Sequence, residues 1–294
     1  MTRVVLVHGI AQQHKGPESL LADWYPALSD GVTLNGGELA REDVAMAFYG
    51  DLFRLPGHRG VGVPDWDASD VEAGLEEDLL LAWWEAAAKA EQPVPGPELA
   101  ARARTPHRVQ RALDALSHSA FFAGLADRLL ISDARQVRRY FTEPDVRTAV
   151  RARLLDTLSE RTELVIAHSL GSVVAYETLC AHPELPDLVL ITLGSPLAVH
   201  GLVLDRLDPP PYVDRARWPA CVIRWTNIAD RGDAVALNKE LAPVFGPRVT
   251  DRLVHNGAKA HDVRPYLTAR ETGEAVATAL RRQGFGREWG RGRR

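Results

Sequence analysis

The chain has 294 residues, 46% hydrophobic and 25% charged, with a formal net charge of −4 and two cysteines. These proportions describe a globular chain long enough for one large α/β domain with an insertion, or for two small domains. The acidic balance argues against a nucleic-acid partner, and no apolar run approaches the ~20 residues that a bilayer span needs.

Nothing near Met1 resembles a secretory leader. Cys180 and Cys221 fall on an expected core helix and core strand, so buried free thiols in a cytoplasmic protein are the expectation. The first element is the run Thr2-Arg3-Val4-Val5-Leu6-Val7, cut off by His8-Gly9. An apolar β-branched run of this kind reads as a strand, over 3–7, buried on both faces of a parallel sheet. A helix over 18–28 places Leu20, Leu21, Trp24 and Leu28 on one face. A loop over 31–37 and a second core strand over 44–49 follow.

Strand signals then vanish between Asp51 and Glu143. A helix over 76–89 aligns Leu79, Trp83 and Ala86, Pro93-Val94-Pro95-Gly96-Pro97 breaks it, and helices are expected at 98–116, 119–130 and 134–141. Such an insertion far exceeds the roughly 2–6 residues of an ordinary connection. Its apolar excess (Trp83, Trp84, Phe121, Phe122, Leu129, Leu130) suits either a lid or wall over a substrate cleft, or plain packing onto the sheet.

A helix starting at Pro144, a good first helical residue, feeds the run Leu164-Val165-Ile166-Ala167-His168-Ser169-Leu170-Gly171. An apolar strand over 163–167 ends in a serine with small residues two before and two after, and a helical pattern follows at once. That is the form of a nucleophile elbow, a tight strand-to-helix turn that presents a serine hydroxyl. Ala167 stands where the usual G-x-S-x-G pattern has its first glycine. A strand over 188–193 leads into Leu193-Gly194-Ser195-Pro196-Leu197. Ser195 is the rival nucleophile, but Leu197 and Pro196 do not suit an elbow, so it is read as structural. The segment 200–219 reads as a loop bordering the pocket. A strand over 221–227 runs into a loop with Asp230 and Asp233, and Asp-Arg-Gly-Asp is also ordinary turn chemistry. An edge-like strand over 248–255 ends in His255, His261 follows in the loop beyond it, and a closing helix spans 269–282. No Cys-x-x-Cys, His-Glu-x-x-His or Gly-rich phosphate loop occurs, so no cofactor or metal is indicated.

On the His8-Gly9 strand end, the Ser169 elbow, the Asp-x-Val pattern at Asp233, the Leu-Gly-Ser-Pro turn and the order Ser…Asp…His, the chain resembles the α/β-hydrolase superfamily, on its esterase and lipase side. The resemblance covers about 1–50 and 143–283, leaving 51–142 as a helical insertion and 284–294 as a Gly/Arg-rich tail expected to be a solvated terminus. It implies a mostly parallel sheet with helices on both faces. It implies Ser169 as nucleophile, Asp233 as acid with Asp230 as runner-up, and His261 as base with His255 as runner-up. The oxyanion donors would be the amides of Leu170 and Ile10, with Ala11 as the fallback. His168 is expected to pack under the elbow without moving a proton. The implied activity is hydrolysis of a small-molecule or lipid carboxylic ester. A thioesterase or acyltransferase, and a non-catalytic binding relative, remain the alternatives.

Overall fold

The computed structural model describes residues 2–54, 64–97, 105–122, 126–213 and 215–288. One six-stranded sheet carries the order β2-β1-β3-β4-β5-β6, with every neighbouring pair parallel. The strands are β1 (Val4–Val7), β2 (Val44–Ala47), β3 (Leu164–His168), β4 (Leu188–Leu193), β5 (Val222–Asp230) and β6 (Val249–Val254). Nine α-helices lie among the described residues: α1 (Pro17–Leu34), α2 (Leu75–Ala90), α3 (Thr105–Ser117), α4 (Asp127–Thr142), α5 (Pro144–Thr157), α6 (Leu170–Ala181), α7 (Ala242–Phe245), α8 (Val263–Thr268) and α9 (Arg270–Glu288).

The unbroken apolar runs of the central strands are explained by burial on both faces. Val4, Leu6, Leu164, Ile166 and Ile191 join a cluster with Leu20, Trp24 and Leu28 of α1 and Tyr266 and Leu267 of α8. Val5, Val7, Val165, Ala167 and Leu190 face the opposite cluster, with α5, α6 and the insertion. Insertion residues Leu79, Trp83, Trp84, Phe122 and Leu130 belong to that same cluster, so the described part of the insertion is continuous with the main core. A buried ion pair reinforces it. Glu76 of α2, wholly buried, receives Arg138 Nε at 2.7 Å and Arg135 Nε at 3.4 Å from α4.

Several boundaries differ from the sequence-based expectation. Helix α1 continues to Leu34, into the first part of the 31–37 stretch expected to be a loop, with 35–37 non-helical. Gly31 sits inside it because a side chain there would collide with the Leu267 carbonyl oxygen, and Gly273 of α9 in turn meets the Gly31 carbonyl. Burial against α8 and α9 therefore overrides the low helix propensity of glycine. In place of two helices expected at 119–130 and 134–141 there is the single helix α4 from Asp127, 119–122 are not helical, and 98–104 and 123–125 lie outside the described residues. Asp230 ends a strand rather than sitting in a loop. Helix α9 runs through 284–288, part of the expected tail, and 289–294 lie outside the described residues. No helix among the described residues is long and apolar enough to cross a membrane.

The strand order reverses at β1. The chain goes from β1 to β2 on one side, then returns to place β3 on the other. In open parallel sheets the crevice at the carboxyl ends of strands flanking such a reversal is where ligands bind. Val7 pairs with Ala167, so His8-Gly9 and His168-Ser169 leave the sheet side by side at that crevice.

Gly31→Ala tests the helix packing. Better propensity would add up to ~1 kcal/mol, whereas overpacking against a fixed carbonyl costs about 1–3 kcal/mol. The steric effect should win, lowering the urea midpoint. An unchanged or raised midpoint would contradict the close contact.

Candidate active site

Ser169 stands between β3 and α6 with φ 55° and ψ −129°, a left-handed-region backbone for a residue that has a Cβ. Such a conformation costs of order 1–3 kcal/mol and persists only when its surroundings hold it. Here the Ser169 amide donates to the Leu193 carbonyl at 3.0 Å. Its carbonyl accepts from the Ser172 amide at 2.9 Å and from Ser172 Oγ at 2.6 Å. With the Ser172 proton so used, Ser195 Oγ donates to Ser172 Oγ at 2.7 Å and accepts from the Leu197 amide at 3.3 Å. Ser195 is thus buried in a structural chain of hydroxyls.

Two glycines let the loops close on this turn. A side chain on Gly171 would come within 2.6 Å of the Val7 carbonyl oxygen, and one on Gly9 within 2.7 Å of Ser169 Cβ. Ala167 needs no such exception, for it lies within β3 and faces the core.

His261 Nε2 lies 2.9 Å from Ser169 Oγ, and its Nδ1 lies 2.7 Å from Asp233 Oδ2. Asp233 is buried to 2% exposure. Its Oδ1 accepts from the amides of Val235 at 2.9 Å and Ala236 at 3.1 Å, and its Oδ2 also accepts the Tyr266 hydroxyl at 2.8 Å. Burial pushes this carboxyl up, but His261, the Ala236 amide and Lys239 outweigh it and hold the group below the ordinary carboxylate range. An ionised Asp233 only accepts hydrogen bonds. His261 therefore carries its proton on Nδ1 and offers the Nε2 lone pair to the serine hydroxyl. Gly194 makes room for the pair: at φ 54°, a side chain there would sit 2.8 Å from Asp233 Oδ2.

The runners-up are elsewhere. Asp230 accepts from the amides of Gly232, at 2.6 Å, and Asn256, tying β5 to the loop after β6. His255 is exposed at the sheet edge. Leu170 is the first residue of α6, where an amide has no intrahelical acceptor. Ile10, Ser169 and Leu170 line one cavity. The Ala11 amide instead donates to Gln136 Oε1 of α4 at 3.2 Å. The Ala11 amide is thus already engaged within the fold.

His168 does more than pack. Its Nε2 donates to the His261 carbonyl at 3.0 Å, and burial, helped by neighbouring His261, lowers its pKa to about 3. His8 is likewise neutral, lowered to about 4 chiefly by burial. Its Nδ1 donates to the Gly9 carbonyl at 2.7 Å, and its Nε2 accepts the Tyr49 amide at 3.1 Å.

Tyr266 and Gln136 carry no motif that sequence reasoning could have used. The spacing of Tyr266 five residues after His261 is the nearest thing to a signal. Among the described residues no cluster of three or more His, Cys, Asp or Glu could hold a metal. Both cysteines are buried free thiols. No known family model matches the chain, and no curated protein matches it either.

Two predictions follow from the buried groups. From about pH 6.5 down to about 4 the unfolded chain protonates His8 and His168 while the folded one does not. Stability therefore falls with pH at up to ~1.4 kcal/mol per unit for each histidine. In urea titrations at pH 7.5 and 5.0, His168→Gln should lessen the fall by about one histidine's share; an unchanged slope would contradict the neutral imidazole. Tyr266→Phe removes one donor from a buried carboxylate and the hydroxyl that accepts the Asp230 amide at 2.7 Å. It should cost about 1.5–3 kcal/mol at pH 7.5, read from the same unfolding curves, and a neutral effect would contradict the bond.

Proposed function

We propose that this chain is a serine hydrolase of the α/β-hydrolase superfamily that cleaves carboxylic esters through an acyl-enzyme on Ser169. The observation that carries it is the hydrogen-bonded line Ser169 Oγ, His261, Asp233, with links of 2.9 and 2.7 Å, at the strand-order reversal. Two supports stand beside it: the positive-φ backbone at Ser169 and the apolar cavity above it.

Ser169 Oγ attacks the ester carbonyl carbon while His261 Nε2 takes the hydroxyl proton. The carbonyl electron pair moves onto oxygen, which the amides of Ile10 and Leu170 receive; one such donor is typically worth about 3–4 kcal/mol in the transition state. Asp233 holds the Nδ1–H and offsets the charge of the imidazolium. His261 then gives its proton to the departing alkoxide as the C–O bond breaks. Water, deprotonated by the same nitrogen, attacks the acyl-serine and frees the acid.

The test is reaction with a small fluorophosphonate, read by intact mass, followed by panels of oxyesters and thioesters. Wild type should gain one adduct and Ser169→Ala none, with both folded. Asp233→Asn should lower kcat by about 10³–10⁴, because an amide favours the wrong imidazole tautomer. A folded wild type that takes no adduct and turns over no ester would point to a non-catalytic binding protein.

A further inference from the structure

The cavity at Ser169 has a wall composition that speaks to the acyl group. Among the described residues that line it, Ser169 contributes the one hydroxyl, and none carries a charged side chain. Beyond Ile10 after β1 and Leu170 of α6, the wall comes from three places: Leu79, Trp83 and Val137 of the insertion, Val199 and Leu202 after β4, and the segment after Asp233. Its volume is about 30 Å³. The free space beside the serine is therefore small, room for a short group and not for a long chain.

We propose that this cavity is the acyl pocket and that the preferred substrates are esters of short, uncharged acyl groups, acetyl to butyryl; this rests on the hydrolase reading above. An acyl chain bearing a carboxylate or ammonium would bury a charge with no partner in this wall, which is strongly unfavourable. A longer apolar chain has to displace Trp83, which is 4% exposed and lies with its ring centroid 6.2 Å from that of Phe122. Trp83 and Leu202 are therefore specificity-determining residues. They set length without touching the reacting atoms.

The two effects oppose each other along a homologous series. Each methylene that fits raises kcat/KM about fourfold through burial. Each that does not fit forces overpacking, which lowers it about tenfold or more. The experiment measures kcat/KM for p-nitrophenyl esters from two to ten acyl carbons, alongside the fluorophosphonate adduct. Wild type should peak between two and four carbons and fall at least tenfold by eight. Trp83→Ala should raise the eight-to-four-carbon ratio at least tenfold. Leu202→Ala, a smaller change in the segment after β4, should raise it severalfold and serves if the tryptophan variant does not fold.

Adduct formation with a peak at eight or ten carbons overturns the acyl-size proposal and leaves the hydrolase reading standing. A short-chain peak with the ratio unmoved in folded variants overturns this wall as the determinant. Absence of both adduct and turnover in folded wild type overturns the hydrolase reading, and the acyl proposal with it.

Discussion

The site depends on one close approach. The turn after β3 and the loop after β1 leave adjacent parallel strands in register and have to occupy nearly the same space. A parallel pair brings its carboxyl ends to one edge of the sheet, so whatever those ends carry is forced together. The contact is possible because Gly9 and Gly171 present no side chain to it. Ser169 absorbs the remaining strain at φ 55°, held by the Leu193 carbonyl from β4 and by Ser172 from α6. The hydroxyl is thus held by three elements that are themselves buried in the sheet's core. A loop alone could not maintain that conformation.

The buried carboxylate of Asp233 is the second constraint. An ionised group removed from water is costly unless its lone pairs are filled. Two amides, a tyrosine hydroxyl and an imidazole fill them here. The same bonds fix which way the carboxylate faces and hence which His261 nitrogen bears the proton. Gly194 and Tyr266 serve this arrangement from either side, one by being absent as a side chain and the other as a donor. His168 holds the His261 backbone, so His261 is fixed through its ring and its carbonyl alike.

The helical insertion is both core and wall. Its tryptophans share a hydrophobic cluster with the sheet, Gln136 occupies the Ala11 amide, and Leu79, Trp83 and Val137 face the cavity at Ser169. Because the same helices contribute to stability and bound the cavity, the size of that cavity is coupled to core packing. Interiors at crystal-like density give little room for change without cost. That coupling gives the insertion a physical reason to influence which ligands fit.

Much of this was legible in the residues. Val4–Val7, Leu164–Ala167 and Leu188–Ile191 are apolar without alternation, which means burial on both faces and a parallel sheet with helices on each side. Ser169 between Ala167 and Gly171, with Asp233 and His261 following in order, marked the residues that the structure brings within 2.9 Å of one another in pairs. These features are local, or follow from chain order, so a linear pattern carries them. Other features were decided only by packing between distant segments. Gly31 stays helical because α8 and α9 lie against it, Asp230 turns away because its carboxylate caps the loop at Asn256, and the Ala11 amide is engaged by a glutamine 125 residues further on. Tyr266 and the walls of the cavity belong to the same group. Their roles exist only where three or more elements meet, and no periodicity or spacing along one chain encodes which surfaces will touch.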